Sequence, residues 1–121
     1  MNDEHWMRLA LDEARQGIGK TAPNPPVGAA IVKNGVLLGK GWHRAAGQPH
    51  AEREALADAT GKDVRGATIY ITLEPCSTHG RTPPCTRGLI DAGIARVVYA
   101  TVDRNPAHAG RADRLLEAAG I

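Results

Sequence analysis

Thr72-Leu73-Glu74-Pro75-Cys76-Ser77-Thr78-His79-Gly80-Arg81-Thr82-Pro83-Pro84-Cys85 joins two segments of different character. Before it, the apolar, β-rich run from Ala67 to Leu73 predicts a strand. After it, Thr86 to Gly93 predicts a helix. Pro83-Pro84 suits a first helical turn, where missing N–H groups cost little. Cys85 then sits in that first turn. The stretch is therefore a strand-to-helix connection, and it carries both cysteines of the chain.

Working outward, Arg96 to Val102 predicts a second strand. Its Val97-Val98-Tyr99 run suits a buried parallel strand. Asp103 to Gly110 reads as a loop and Arg111 to Ala119 as a last helix. Upstream, Ala51 to Ala59 predicts a helix with Ala51, Ala55, Leu56 and Ala59 on its apolar side, ended by Thr60-Gly61-Lys62. Val27 to Val32 and Val36 to Gly41 are two strands around Lys33-Asn34-Gly35, and the Asn-Gly pair favours a tight hairpin turn. Thr21 to Pro26 is a proline-stiffened loop. Asp3 to Gln16 predicts a first helix, with Trp6, Leu9, Ala10 and Ala14 on its packing stripe and Asp12, Glu13 and Arg15 largely off it. The order is α, β-hairpin, α, β, α, β, α. Such alternation implies right-handed crossovers and a sheet covered on both faces.

The chain is 121 residues, one domain, and long enough to bury a core without disulfide or metal staples. It has no Phe and only 3% aromatic residues, so Ala, Leu, Ile and Val must fill that core. The net charge is +2 and its basic residues form no run. A duplex-binding surface shows a basic patch or stripe, and a base-stacking surface needs aromatics. Composition therefore argues against a nucleic-acid partner. No apolar run approaches the length of a membrane span, and no secretory signal opens the chain. A cytoplasmic protein with reduced thiols is expected.

His50, Cys76 and Cys85 offer one imidazole and two thiols, the ligand count of a catalytic zinc site that keeps a fourth position for water. Only two cysteines exist, so a four-thiolate site within one subunit is excluded. Bound zinc lowers the pKa of water toward neutrality. Glu52, two residues past His50, is the candidate proton shuttle. The two point the same way only if the site lies off the N-terminal end of their helix. The expectation is zinc between two helix N-termini, at the C-terminal ends of strands, where open α/β sheets place their sites. Taken singly, each residue has a plainer reading: Glu52 a solvated helix charge, Cys76 a core residue, His50 a helix cap. Asn24 alone reads as a turn residue and His43 as a strand-end residue.

His50-Ala51-Glu52 followed by Pro75-Cys76 resembles the zinc nucleobase deaminases. The gap of nine positions to Cys85 departs from their short cysteine spacing. That longer loop, from Pro75 through Cys85, closely resembles the pyrimidine deaminase family of riboflavin biosynthesis. Pro23-Asn24-Pro25, Val27-Gly28, Gly41-Trp42-His43, Ala46-Gly47, Pro49 to Glu52, Asp103, Asn105-Pro106 and Ala109-Gly110-Arg111 resemble further segments of the same family.

The resemblance implies a three-layer α/β/α cytidine-deaminase-like fold with a mixed central sheet. It implies one zinc per chain on His50, Cys76 and Cys85, with Glu52 catalytic. The implied reaction is hydrolytic removal of an amino group from a diamino-hydroxy-phosphoribosylamino-pyrimidine. The family's substrate contacts fall on Asn24, His43, His79, Arg81, Asp103 and Asn105, with His79 and Arg81 toward the phosphate. A homo-oligomer, dimer or higher, is implied as well. Many family members carry a reductase domain after the deaminase, and residues 1–121 leave no room for one. Arg104 stands where the family often has Pro, beside the Asp103 and Asn105 positions. Glu74 has no assigned role. The competing readings are a deaminase of another base, free or in nucleic acid, and a non-catalytic zinc module.

Overall fold

A computed structural model of the chain describes residues 3–16, 27–42, 51–72 and 85–99, with only the backbone of residues 85–87. The elements are α1 (Asp3–Arg15), β1 (Gly28–Lys33), β2 (Val36–Trp42), α2 (Ala51–Asp58), β3 (Thr68–Ile71), α3 (Cys85–Ala92) and β4 (Arg96–Tyr99). The expected order of elements holds through β4. The loop at 103–110 and the helix at 111–119 lie outside the described residues.

The hairpin forms at Asn34-Gly35, whose φ angles of 53° and 75° are both positive. Two positive φ angles match the twist of the strands they join, and Asn and Gly tolerate them best. Gly61 and Gly93, also at positive φ, follow the ends of α2 and α3.

The four described strands form one sheet in the order β2-β1-β3-β4. β1 runs antiparallel to both β2 and β3, and β3 runs parallel to β4. The sheet is therefore mixed, as expected. The period of two along the strands divides the core. Ala29, Ile31, Ile69 and Ile71 face α2 and α3, packing with Ala51, Ala55, Ala59, Leu89 and Ile94. Val32 and Tyr70 face α1, packing with Trp6 and Ala10. Helices thus cover both faces. A register shift between Ile31 and Val32 places Leu37 opposite Val32 and Gly39 opposite Ile31. Leu38 is the extra residue of this bulge, which lets Leu37 join the α1 side and Leu38 the α2 side.

Two sequence expectations need correction. Glu13 is not off the packing stripe of α1: it is 9% exposed. Its carboxylate accepts from Gln16 Nε2 at 2.9 Å and meets Lys40 Nζ at 3.3 Å, the second a partner that local periodicity does not reveal. β4 is half-buried rather than buried: Arg96 is exposed, and Val97, Val98 and Tyr99 are partly exposed.

Candidate active site

Register brings one edge of the sheet together. Gly28 opens β1 opposite Trp42, the last residue of β2. Ile71, the last residue of β3, lies beside Ala29 on one side and Tyr99, the last of β4, on the other. Three strands end on this edge and one begins there. The chain leaves it toward every candidate substrate or metal residue that a strand precedes or follows closely: Asn24 before β1, His43 after β2, Cys76 after β3, Asp103 and Asn105 after β4.

α2 starts at the same edge. Glycines at 39 and 41 let it lie directly on β2. A Cβ on Gly41 would come 2.5 Å from Glu54 Cβ and 2.6 Å from Ala55 N, and one on Gly39 would come 2.5 Å from Ala55 O. The residues nearer Trp42 therefore face the start of α2. At the other end, Lys40 N donates to Asp58 Oδ2 at 3.0 Å and Lys62 Nζ to Leu38 O at 3.0 Å. The carboxyl ends of the parallel strands and the positive end of α2 meet on one side of the sheet.

Glu52, in the first turn of α2, is 3% exposed. Burying a charged group costs free energy unless the fold compensates it. A residue so placed is not the solvated helix charge that its position alone suggests. His50 immediately precedes α2, and Cys85 is the first residue of α3, as the Pro83-Pro84 signal predicts. α2 and α3 pack against each other, and the contact lies near both starts: Gly88 of α3 sits against the Arg53 guanidinium of α2. The Arg53 side chain thus reaches from the first turn of α2 to the first turn of α3.

Among the site residues expected from sequence, the structure describes the side chain of Glu52 and the backbone of Cys85. Asn24, His43, His50, Cys76, His79, Arg81, Asp103 and Asn105 lie outside the described residues. The sequence reading assigned no role to Thr72, Arg53 or Gly88, which the structure places beside these segments. Their partners are remote in sequence, so no local pattern marks them.

A mixed sheet with helices on both faces and a buried Glu at the head of a helix, two residues after a His, define the class. Residues 1–101 match the cytidine and deoxycytidylate deaminase zinc-binding region, and the chain belongs to that family. It is 54% identical over its whole length to the riboflavin biosynthesis protein RibD of Escherichia coli, covering 33% of that protein. It is 47% identical over its whole length to the diaminohydroxyphosphoribosylamino-pyrimidine deaminase of Buchnera aphidicola, covering 82% of it. The solved structure of Acinetobacter baumannii RibD superposes with a TM-score of 0.95 at 50% identity, over 98% of this chain and 33% of that one. The chain spans about a third of the length of the RibD relatives it matches.

Proposed function

We propose that this chain is a zinc-dependent hydrolytic deaminase acting on a phosphoribosylated diaminopyrimidine of riboflavin biosynthesis, and that residues 1–121 are its deaminase domain. The observation that carries the reading is the burial of Glu52 in the first turn of α2, at the sheet edge where β1 begins and β2, β3 and β4 end. The similarity to the Buchnera deaminase over the whole chain supports the substrate class.

The donor set fits zinc. One imidazole and two thiolates suit a borderline-soft, tetrahedral ion, and hard cations prefer oxygen ligands. His50, Cys76 and Cys85 would hold one ion per chain. Bound there, zinc supplies the Lewis acidity that makes water a nucleophile at neutral pH. The Glu52 carboxylate accepts the proton that water gives up as its oxygen bonds to the ring carbon bearing the amine. It passes that proton to the ring nitrogen, then takes the hydroxyl proton of the adduct and delivers it to the amine, which leaves as ammonia as the C–N bond breaks. Water is consumed, and a carbonyl replaces the amine. Burial keeps the carboxylate away from bulk solvent, so proton transfer stays between water and substrate.

Asn24, His43, Asp103 and Asn105 would hold the base and ribosyl chain, and His79 and Arg81 the phosphate. The paucity of aromatics and the absence of a basic run favour a small nucleotide over a nucleic acid. Thiolate ligands fit a reducing, cytoplasmic setting. The family resemblance supports a homo-oligomer, dimer or higher. Among the described residues, no helix is long and apolar enough to cross a membrane.

The test is metal content together with ammonia release, for wild type and Glu52→Gln. One zinc per chain, turnover of the phosphoribosylated diaminopyrimidine and none in a still-metallated variant are expected. Turnover only of deoxycytidylate, or only of single-stranded nucleic acid, would replace the substrate. Turnover undiminished in the Gln variant would overturn the role of Glu52.

A further inference from the structure

Thr72 follows the last residue of β3 and is 7% exposed. Its hydroxyl Oγ1 accepts a hydrogen bond from Gly28 N at 3.2 Å. Its own N–H donates to Gly28 O at 3.1 Å. Gly28 is the first residue of β1, so both backbone groups at the head of that strand are tied to one residue at the foot of β3. Gly28 has no latitude on its other side: a Cβ there would fall 2.0 Å from Ala10 O and 2.5 Å from Ala14 N. α1 therefore presses the head of β1 onto the sheet, and Thr72 fixes it there.

The two residues so joined are the roots of two candidate segments. Four positions before Gly28 is Asn24; four positions after Thr72 is Cys76. The β1–β3 ladder ends at the pairing of Ala29 with Ile71. Past it, the hydroxyl bond is a side-chain continuation of the ladder. A backbone donor buried without a partner is expensive, so the hydroxyl is the group that lets both segments leave the sheet from one point.

We propose that Thr72 is a positioning residue for the deamination reaction. Through Gly28 it ties the point where the chain enters β1, four residues after Asn24, which would contact substrate, to the point where it leaves β3, four residues before Cys76, which would hold the metal. This rests on the functional reading above. The hydroxyl acts as an acceptor, so its chemistry is separable from its bulk: Val keeps the shape and loses the acceptor, and Ser keeps the acceptor and loses a methyl.

The experiment compares wild type, Thr72→Val, Thr72→Ser and Thr72→Ala. Three readouts are taken on the zinc-loaded chain: hydrogen exchange of the Gly28 amide, steady-state ammonia release, and thermal unfolding. Co²⁺ affinity and its ligand-field spectrum are measured after metal exchange. In Thr72→Val the Gly28 amide should exchange at least about tenfold faster, the scale of one lost buried hydrogen bond. KM should rise by about the same factor, with a smaller change in kcat. Thr72→Ser should restore both to within about twofold of wild type. Thr72→Ala repeats the loss without placing a methyl where the hydroxyl was, and it decides the matter if the Val variant does not fold.

A Val or Ala variant with wild-type KM and wild-type Gly28 protection would overturn the proposal. So would a Ser variant that behaves like Val, because bulk and not the acceptor would then be at work. If the wild type itself turns over no phosphoribosylated diaminopyrimidine, the substrate reading fails separately. Amide exchange and the Co²⁺ spectrum then still decide whether Thr72 holds the metal-bearing segment in place.

Discussion

The Arg53 guanidinium lies face-on against Gly88. A Cβ placed on Gly88 would be 3.6 Å from Cζ, 3.6 Å from Nη2 and 3.7 Å from Nη1. Were the edge presented instead, Cζ would be the farthest of the three. Arg53 follows Glu52, and Gly88 lies one turn past Cys85 on α3. The pair bridges the first turns of the two helices that would carry the proton shuttle and a metal ligand.

The space over Gly88 admits one methyl group and little more. Gly88→Ala puts its Cβ at ordinary contact distance and removes the entropic cost of a helical glycine, a gain of about 0.5–1 kcal/mol. Denaturant unfolding should show that gain with ammonia release retained. Gly88→Leu must push the guanidinium aside, and it should lower zinc affinity and turnover more than it lowers the unfolding midpoint.

Gly41 is the opposite case. Its Cβ would meet Glu54 Cβ at 2.5 Å and the backbone nitrogen of Ala55 at 2.6 Å, and a helix backbone cannot rotate out of the way. Gly41→Ala should cost about 1–3 kcal/mol by displacing α2 from the sheet. Because α2 carries Glu52, activity should fall with stability, as chemical denaturation and initial rates on the same samples will show.

Glu52→Gln keeps the shape of a buried side chain and removes its proton-transfer capacity. The variant should stay folded and metallated, as its unfolding transition and zinc content will show. The rate of ammonia release should fall by about 10²–10⁴-fold, the usual share of a general acid–base group. Loss of fold in this variant would assign Glu52 a structural role instead.

Asp3, Tyr70 and Arg96 make stability depend on pH at both extremes. Asp3 Oδ1 accepts from Tyr70 OH at 2.7 Å and from Arg96 Nη1 at 3.0 Å, and Oδ2 accepts from Arg96 Nη2 at 2.7 Å. The bonds from Arg96 and then Tyr70 lower the Asp3 pKa from 3.8 to about 2. That depressed value means stability present above about pH 4 and lost as pH falls toward 2. Burial, then the bond to Asp3, pushes the Tyr70 pKa up from 10 to about 12. Stability from this group is present below pH 10 and lost as pH rises toward 12. Thermal midpoints against pH should fall at both ends, and Asp3→Asn should flatten the acid side. A wild-type acid slope in that variant would mean that other carboxylates set it.

Removing the metal tests the donor set without substrate. Chelation should abolish ammonia release, and added Zn²⁺ should restore it. Co²⁺ in its place should give the intense visible bands of a tetrahedral site with thiolate ligands. Bands of an octahedral, oxygen-ligated ion would exclude Cys76 and Cys85 as ligands.

Short-range patterns carried a good deal of this protein. Asn34-Gly35 marked the hairpin, and Thr60-Gly61-Lys62 marked the end of α2. His50-Ala51-Glu52 and Pro83-Pro84-Cys85 placed candidate groups at helix starts, because caps and first turns depend on neighbours within a few residues. Tertiary structure alone decided the rest. The strand order β2-β1-β3-β4, the burial of Glu13 and Glu52, the bond of Thr72 to Gly28 across 44 positions and that of Asp3 to Arg96 across 93 follow from how helices and strands pack. Periodicity records which face a side chain takes, and it holds no information about which distant element meets that face.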